Sequence, residues 1–239
     1  MYASSTYWDN RYLNKIQHEW YFNYDNLRHL ISNFMVVSDG SVLEIGCGDK
    51  PLVEGISKSH PAFVLYGIDF SKAVINILVS SHAESNIKYL RMDARHLKFD
   101  SGTFNYVIDK GTIDAMLCTK SGWNNANMIL RESIRVLKAD GTFMLVSHLS
   151  AESIEMKSII NDILMPALSQ KFPFKVNWKI DCHMISNNHD ESGHCEGYAF
   201  ASVYLITSTS RRFTRSTLNS GTADDNFQCP FRIFFHDIS

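Results

Sequence analysis

Long apolar runs are missing from this 239-residue chain. No stretch of about 18 apolar residues occurs, so no membrane-spanning helix is expected. The first residues, Met1-Tyr-Ala-Ser-Ser-Thr-Tyr-Trp-Asp9, lack a basic segment followed by an apolar one, which speaks against secretion and for the cytoplasm. A surplus of either charge is missing too. The 23 Lys+Arg and 25 Asp+Glu leave a formal net charge of -2, so no global basic field advertises nucleic acid as a partner. Cysteine is sparse: the five residues Cys47, Cys118, Cys182, Cys195 and Cys229 are scattered and odd in number, with no Cys-x-x-Cys pair. They read as reduced thiols rather than a disulfide framework. Cys182-His183, His189 and His194-Cys195 fit no familiar zinc spacing, so no metal is expected there. No internal repeat is visible.

What is present suits one folded α/β domain, with 45% hydrophobic and 20% charged residues. Ser41–Ile45 is a short apolar run ending in glycines, a buried strand followed by a turn. Pro51 suits the first turn of the next helix, where its missing N–H costs nothing. Phe63–Ile68 forms a second strand, and Ser71 is placed to cap a helix through about Val79. Ile87–Arg91 and Phe104–Ile108 are further strands. Asn125–Leu137 has helical spacing at Met128, Ile129, Ile134 and Leu137, and Ala139-Asp-Gly141 breaks it before the strand Thr142–Ser147. This alternation predicts a doubly wound, mostly parallel sheet. A helix near Ala151–Leu164 follows, then strands near Phe174–Cys182 and Ala199–Thr207 with no helix between them. Two strands joined that way pair antiparallel at a sheet edge. The fold class expected is therefore α/β, a Rossmann-like seven-stranded sheet with an antiparallel C-terminal edge hairpin. Its parts would be a helical flap over 1–40, a core over 41–207 and a polar tail over 208–239. Within the tail, Phe231–Phe235 is apolar again and could dock somewhere, at a place the sequence does not indicate.

Gly46-x-Gly48 directly after a strand lets backbone approach a ligand where a side chain would collide. A dinucleotide fingerprint needs a third small residue three positions later. Pro51 stands there, after Lys50, so a nicotinamide cofactor loses its most diagnostic glycine. S-adenosylmethionine carries no phosphate and needs none. Glu44, just before the glycines, suits a cationic group, and Cys47 lies between them. Asp69 ends the second strand, 21 positions after Gly48, a distance at which a carboxylate reaches a ribose diol; Phe70 and Ser71 adjoin it. Asp93 follows the third strand and can accept from an adenine amino group, with the Ala94 N–H nearby. Three acids at the ends of successive strands converge on the carboxyl edge of such a sheet.

The fourth strand delivers Asp109-Lys-Gly-Thr-Ile-Asp-Ala115 to the same edge. Together with Tyr7-Trp-Asp-x-Arg-Tyr12, Glu19-Trp20 and Leu43-Glu-Ile-Gly-Cys-Gly48, this run resembles the methyltransferase-like 13 group. That group includes methyltransferases of translation elongation factor 1-alpha and of mitochondrial citrate synthase. The resemblance spans residues 6–207, and the tail matches nothing in it. It implies a protein lysine or N-terminal amine methyltransferase that uses S-adenosylmethionine and releases S-adenosylhomocysteine. By the same matching Tyr7, Trp8 and Arg11 would cover the cofactor, with Arg11 near its carboxylate, and Trp20, Lys110 and Thr112 would face the substrate. The partner implied is a protein, elongation factor 1-alpha among the candidates.

Methyl transfer needs an uncharged amine, held in line. A lysine has an ordinary pKa of about 10.4, and a lone carboxylate would stabilise its ammonium form. Asp109 is therefore expected to position the amine, by backbone carbonyl or side chain, rather than act as a strong base; Asp114 is the second candidate. Three alternatives stay open: a small-molecule or RNA methyltransferase on the same fold, a non-catalytic binding module, and an NAD-dependent oxidoreductase. Against RNA, the turn after the fourth strand has no Pro-Pro and no stacking aromatic. Against NAD stand the missing glycine and the terminal hairpin.

Overall fold

A computed structural model describes residues 2–15, 19–81, 86–171, 178–186, 200–208 and 233–238. Two helices, α1 (Ser5–Leu13) and α2 (Tyr24–Phe34), precede the first strand, β1 (Gly40–Ile45). Then α3 (Leu52–Ser59), β2 (Phe63–Asp69), α4 (Lys72–Ser81), β3 (Ile87–Arg91) and β4 (Phe104–Lys110) alternate as expected. After β4 come α5 (Thr112–Leu117), α6 (Gly122–Val136) and β5 (Leu137–Ser147). Helix α7 (Ile154–Ser158) runs through a π-helical stretch, Ile159–Leu164, into α8 (Met165–Lys171). The hairpin strands β6 (Trp178–Ser186) and β7 (Phe200–Ser208) and a last strand, β8 (Ile233–Ile238), complete the sheet.

Strand order is β3-β2-β1-β4-β5-β7-β6-β8. The five strands β1 to β5 pair in parallel, and β7 lies antiparallel between β5 and β6. The seven strands thus form a mixed sheet with a parallel core and an antiparallel C-terminal hairpin. An eighth strand from within the tail lies parallel to β6, pairing Ile180 through Ile185 with Ile233 through Ile238.

Alternation along the central strands sorts the core into two layers, because successive side chains of a strand point to opposite faces. Leu43, Ile45, Val107, Phe143 and Leu145 pack with α6, α7 and α8. Val42, Tyr106, Ile108, Met144 and Val146 pack with α2, α3 and α4. Helix α2 buries Leu27, Leu30, Ile31 and Phe34 in that second layer, so it belongs to the packed body. Among the described residues before β1, Ala3, the α1 face and Glu19-Trp20 line the cleft at the carboxyl edge.

Three local expectations need correction. Ala139-Asp-Gly141 does not break the chain before a strand at Thr142. It lies inside β5 as a bulge, with Phe104 facing Leu137 and Tyr106 facing Thr142. The extra residues of β5 are absorbed there without ending the pairing. Pro51 is the cap residue before α3 rather than part of its first turn. The helix near Ala151–Leu164 starts at Ile154 and runs to Lys171 through its π-helical turn.

Candidate active site

The carboxyl ends of β1, β2 and β4 and the N-terminal segment enclose one cleft of about 950 Å³, its open mouth included. Gly46 and Gly48 form its floor at φ +60° and +58°, a region open to glycine and costly for residues with a Cβ. A Cβ on Gly46 would sit 2.0 Å from Thr112 Oγ1. Thr112 Oγ1 donates to the Ile45 carbonyl at 3.0 Å and ties the β4 turn to the β1 turn. The Cys47 N–H donates to the Ile68 carbonyl at 2.9 Å, which fixes the first loop against β2.

Asp69 lies on the cleft wall with Phe70. Its Oδ1 accepts from Ser71 N–H at 2.8 Å and its Oδ2 from Gly48 N–H at 3.2 Å. Burial pushes its carboxyl up to about 6. Ser71 itself stands behind this wall, fully buried, where its hydroxyl donates to Asp9 Oδ1 at 2.6 Å. Asp9 Oδ1 also accepts from Ala73 N–H at 2.9 Å. In this way α1 caps the start of α4 from outside it. Burial alone would raise the Asp9 carboxyl, but the Ser71 and Ala73 bonds and Arg91 hold it below the ordinary range.

Glu44 does not face the cleft. The Leu52 and Val53 N–H groups donate to its two oxygens at 3.0 Å each, so it caps α3 from beneath the floor. Burial pushes its carboxyl up to about 7. The reason for this placement is periodicity: Leu43 and Ile45 point to the α6 face, so Glu44 points to the α3 face. It therefore reaches a ligand only through the loop it holds. Asp93 and Ala94 do line the cleft, yet the Arg95 guanidinium covers both Asp93 oxygens at 2.7–3.1 Å. Burial works against the Asp93 charge, and these bonds outweigh it and lower the pKa. Much of the acceptor capacity expected of Asp93 is thus used within the chain.

Trp8 and Arg11 line the cleft together with Tyr12. At i, i+3 and i+4 they share one face of α1. Tyr7 is off the wall and packs edge-on against Tyr2 and Trp8, with centroids 5.4 and 5.3 Å apart. Trp8 stacks on Tyr12 at 6.0 Å and meets Trp20 at 6.2 Å, making an aromatic roof. Trp20, Lys110 and Thr112 all lie on the wall. Lys110 Nζ donates to Glu19 Oε1 at 2.6 Å and to the Trp20 carbonyl at 3.0 Å, which clamps the N-terminal segment to the β4 turn.

The two acids of the β4 turn are buried off the cleft wall. Asp109 is fully buried, and its Oδ1 accepts from Ile113 N–H at 3.3 Å at the start of α5. Among the described residues its Oδ2 has no hydrogen-bond partner. Burial, with Asp114 and Glu44 nearby, drives its carboxyl well above the ordinary range. The side-chain route from Asp109 to a bound amine is therefore closed, and what it holds is the turn. Asp114 accepts from Tyr21 Oη at 2.5 Å, Ser147 Oγ at 2.7 Å and His148 N–H at 3.2 Å. Sequence reasoning missed Tyr21, which directly follows Glu19-Trp20, and His148, which stands in no motif, as well as Met92, Met116 and Ile129, which line the cleft but read as ordinary core.

Pocket and fold together define a ligand-binding α/β protein that closes an N-terminal segment over the carboxyl edge of its sheet. Residues 42–141 match the family described as Methyltransferase domain. The chain is 31% identical over 173 residues to the human mitochondrial citrate synthase-lysine N-methyltransferase, covering 64% of this chain and 67% of that protein. It is 25% identical over 217 residues to the mouse eEF1A lysine and N-terminal methyltransferase, covering 88% of this chain but only 29% of that protein. A TehB-like S-adenosylmethionine-dependent methyltransferase from Corynebacterium glutamicum shares the fold, with TM-score 0.52 and 14% identity over 86% of this chain and 98% of that one. The chain belongs to the class I S-adenosylmethionine-dependent methyltransferases and is similar to the methyltransferase-like 13 and eEF1A lysine methyltransferase group. Its cofactor is S-adenosylmethionine. No described helix is long and apolar enough to cross a membrane.

The residues present fit that cofactor. The Gly46 and Gly48 backbone makes a floor without side chains, Asp69 offers carboxylate oxygens to a diol, and Phe70, Met92, Ala94, Met116 and Ile129 form an apolar slot. Arg11 adds a cation on the same wall.

Proposed function

We propose that this chain methylates an amine on a protein, a lysine side chain or an N-terminal amine, with elongation factor 1-alpha the first candidate. The carrying observation is the acceptor side of the cleft. There Trp20 and the Lys110-Gly111-Thr112 turn stand together on one wall, with Glu19 paired to Lys110, and Trp20 is an aromatic suited to a cationic amine. The printed names of the relatives, which are lysine and N-terminal methyltransferases, support the same reading. The cofactor supplies an electrophilic methyl group on a sulfonium. In this reading Asp69 holds the ribose hydroxyls, Arg11 the carboxylate, and the slot around Met92 and Ile129 the base. The aromatic roof of Trp8, Tyr12 and Trp20 excludes water, which favours the neutral amine. Asp109 and Asp114 act behind the wall: Asp109 holds the Gly111-Thr112 turn from which the acceptor is positioned. A cytoplasmic location goes with this reading and is checked by fractionation.

The test is incubation of the chain with labelled S-adenosylmethionine and a cell lysate, followed by mass spectrometry of the labelled species. Label on a lysine or an N-terminal amine, elongation factor 1-alpha first, is expected. Label confined to RNA or to metabolites defeats the proposal.

A further inference from the structure

Behind Trp20 and Gly111 lies a cluster of titratable groups that the cofactor does not need. Tyr21 is held at φ +62°, one of two non-glycine residues with positive φ among the described ones. Such backbone strain persists where surrounding contacts over-determine it. Its ring packs on the cleft turn, with Cε2 3.2 Å from where a Cβ of Gly111 would stand. Its hydroxyl donates to Asp114 Oδ2 at 2.5 Å and lies 3.1 Å from His148 Nδ1. Asp114 is buried, and Oδ2 is also 3.4 Å from His148 Nδ1. His148 follows the last residue of β5, two positions beyond Val146, which pairs with Lys110 of the cleft wall. The Gly111 N–H donates to the Val146 carbonyl at 3.1 Å. The cluster thus stands at the carboxyl edge next to the acceptor side of the cleft.

We infer that His148, oriented by Asp114 and Tyr21, accepts the proton that the amine substrate must lose before methylation. The inference rests on the amine reading above. The single proton of the Tyr21 hydroxyl is committed to Asp114 by the shorter contact. The Tyr21 oxygen therefore faces His148 Nδ1 with a lone pair, and Asp114 faces it with a carboxylate oxygen. Both require Nδ1 to carry hydrogen, which leaves the basic lone pair of the neutral ring on Nε2. The His148 side chain is 46% exposed, so the ring is open to water; it stands beside the cleft lining rather than in it, and a substrate docked at the mouth would meet it there. In the step, an N–H bond of the substrate ammonium breaks and its electron pair stays on the amine nitrogen. The proton bonds to Nε2, and the imidazolium then releases it to solvent. Among the described residues, Asp114, Tyr21 and, from α7, Glu155 are the titratable groups that face His148. The hydrogen bond from Asp114 comes first in raising its pKa above the ordinary value, and the charges of Asp114 and Glu155 add to this. A base held above the ordinary imidazole pKa suits removal of a proton from an amine. Asp114 acts through the histidine, as a positioning residue.

The test uses the full chain and the acceptor found by labelling. His148 is titrated by NMR in the free protein, and kcat/KM is followed from acid to alkaline pH for wild type and His148→Gln. We expect an acid limb in wild type at the His148 titration point. His148→Gln removes that limb and lowers kcat/KM roughly 100-fold near neutral pH, a loss that shrinks toward pH ~10 where the amine sheds its own proton. Binding of S-adenosylhomocysteine and the thermal midpoint stay as in wild type. Asp114→Asn moves the NMR titration down and the limb with it. Tyr21→Phe, which frees Asp114 for the histidine, moves both up and serves should Asp114→Asn unfold. An amine acceptor whose methylation by His148→Gln keeps the wild-type rate and limb overturns the inference and leaves the amine reading intact. A labelled acceptor that is no amine overturns both, and the labelling alone reports it.

Discussion

Alanine at position 46 separates the steric demand of the cofactor loop from its conformational demand. A non-glycine residue at φ +60° costs about 1 kcal/mol in backbone terms. The added Cβ would meet Thr112 Oγ1 at 2.0 Å and its Cβ and Cγ2 at 3.0 Å. Thr112 must swing away and give up its bond to the Ile45 carbonyl, a loss of about 1 kcal/mol, and residual crowding brings the sum to about 2–3 kcal/mol. Gly48 has nearly the same φ, +58°, but its Cβ would meet only Tyr12 Oη at 3.3 Å. Gly48→Ala should therefore cost about 1 kcal/mol, the backbone part alone. Urea unfolding followed by circular dichroism measures both, and the thermal midpoint should drop by roughly 2–4 °C per kcal/mol. The double variant Gly46→Ala/Thr112→Ala is the sharper arm. Both single changes lose the same Thr112 bond, so together they should cost at least ~1 kcal/mol less than their sum. Equal costs at 46 and 48, or additivity of the 46/112 pair, would refute the steric account.

Asp9→Ala removes the clamp on Ser71 and Ala73; we expect S-adenosylhomocysteine to bind about tenfold more weakly by calorimetry, a ~1.4 kcal/mol change, while the urea midpoint moves little. An unchanged affinity would show that α1 is held elsewhere. The buried Glu44, raised to about 7 from 4.5, keeps its proton longer folded than unfolded. Its contribution is therefore present below about pH 4.5 and lost as pH rises toward 7. Glu44→Gln should flatten the fall of unfolding free energy across that window, and a slope equal to wild type would contradict the assignment. Asp109→Asn replaces a carboxyl whose pKa burial drives well above the ordinary range with a near-isostere that can still accept from Ile113. It should stay within about 1 kcal/mol of wild type at pH 7, whereas Asp109→Ala, losing the cap, should cost about 1–2 kcal/mol. Denaturation of the pair decides it.

Periodicity and turn chemistry made the central sheet legible. Ile87–Arg91 coincides with β3, and the run before Gly46 is β1, because buried parallel strands are short apolar stretches with sharp ends. The same local view could not place side chains around a strand end. Glu44, Asp69 and Asp109 all read as edge carboxylates, yet only Asp69 lines the cleft. Glu44 follows the strand alternation into the α3 layer, and Asp109 is drawn under α5 by the helix start that needs an acceptor. Asp93 lines the wall as expected, but its partner Arg95 is two residues away in sequence and was legible only as a loop residue. The Tyr21–Asp114–His148 cluster joins residues 93 and 127 positions apart, a distance at which a single sequence carries no trace of contact. The bulge at Ala139–Gly141 looked like a breaker because glycine and aspartate serve turns and bulges alike.

The floor of the cleft and its roof come from different parts of the chain. The matched family region spans 42–141 and supplies β1 to β4 and the start of β5, the glycine floor, Asp69 and the Lys110 turn. The roof of the cleft comes from Trp8, Arg11, Tyr12, Glu19 and Trp20, which lie before that region. Ties among the described residues that hold the roof run first from Asp9 to the start of α4, second from Lys110 to Glu19 and the Trp20 carbonyl, and third from Tyr21 to Asp114. The second and third end on the β4 turn or on α5, next to the acceptor side of the cleft. In the proposed reading, the segment that covers the cofactor also sets Trp20 and Tyr21 beside the acceptor, so cofactor enclosure and acceptor positioning would go together. Opening it would loosen both at once, and weakening any one tie should change cofactor affinity and methylation together rather than separately.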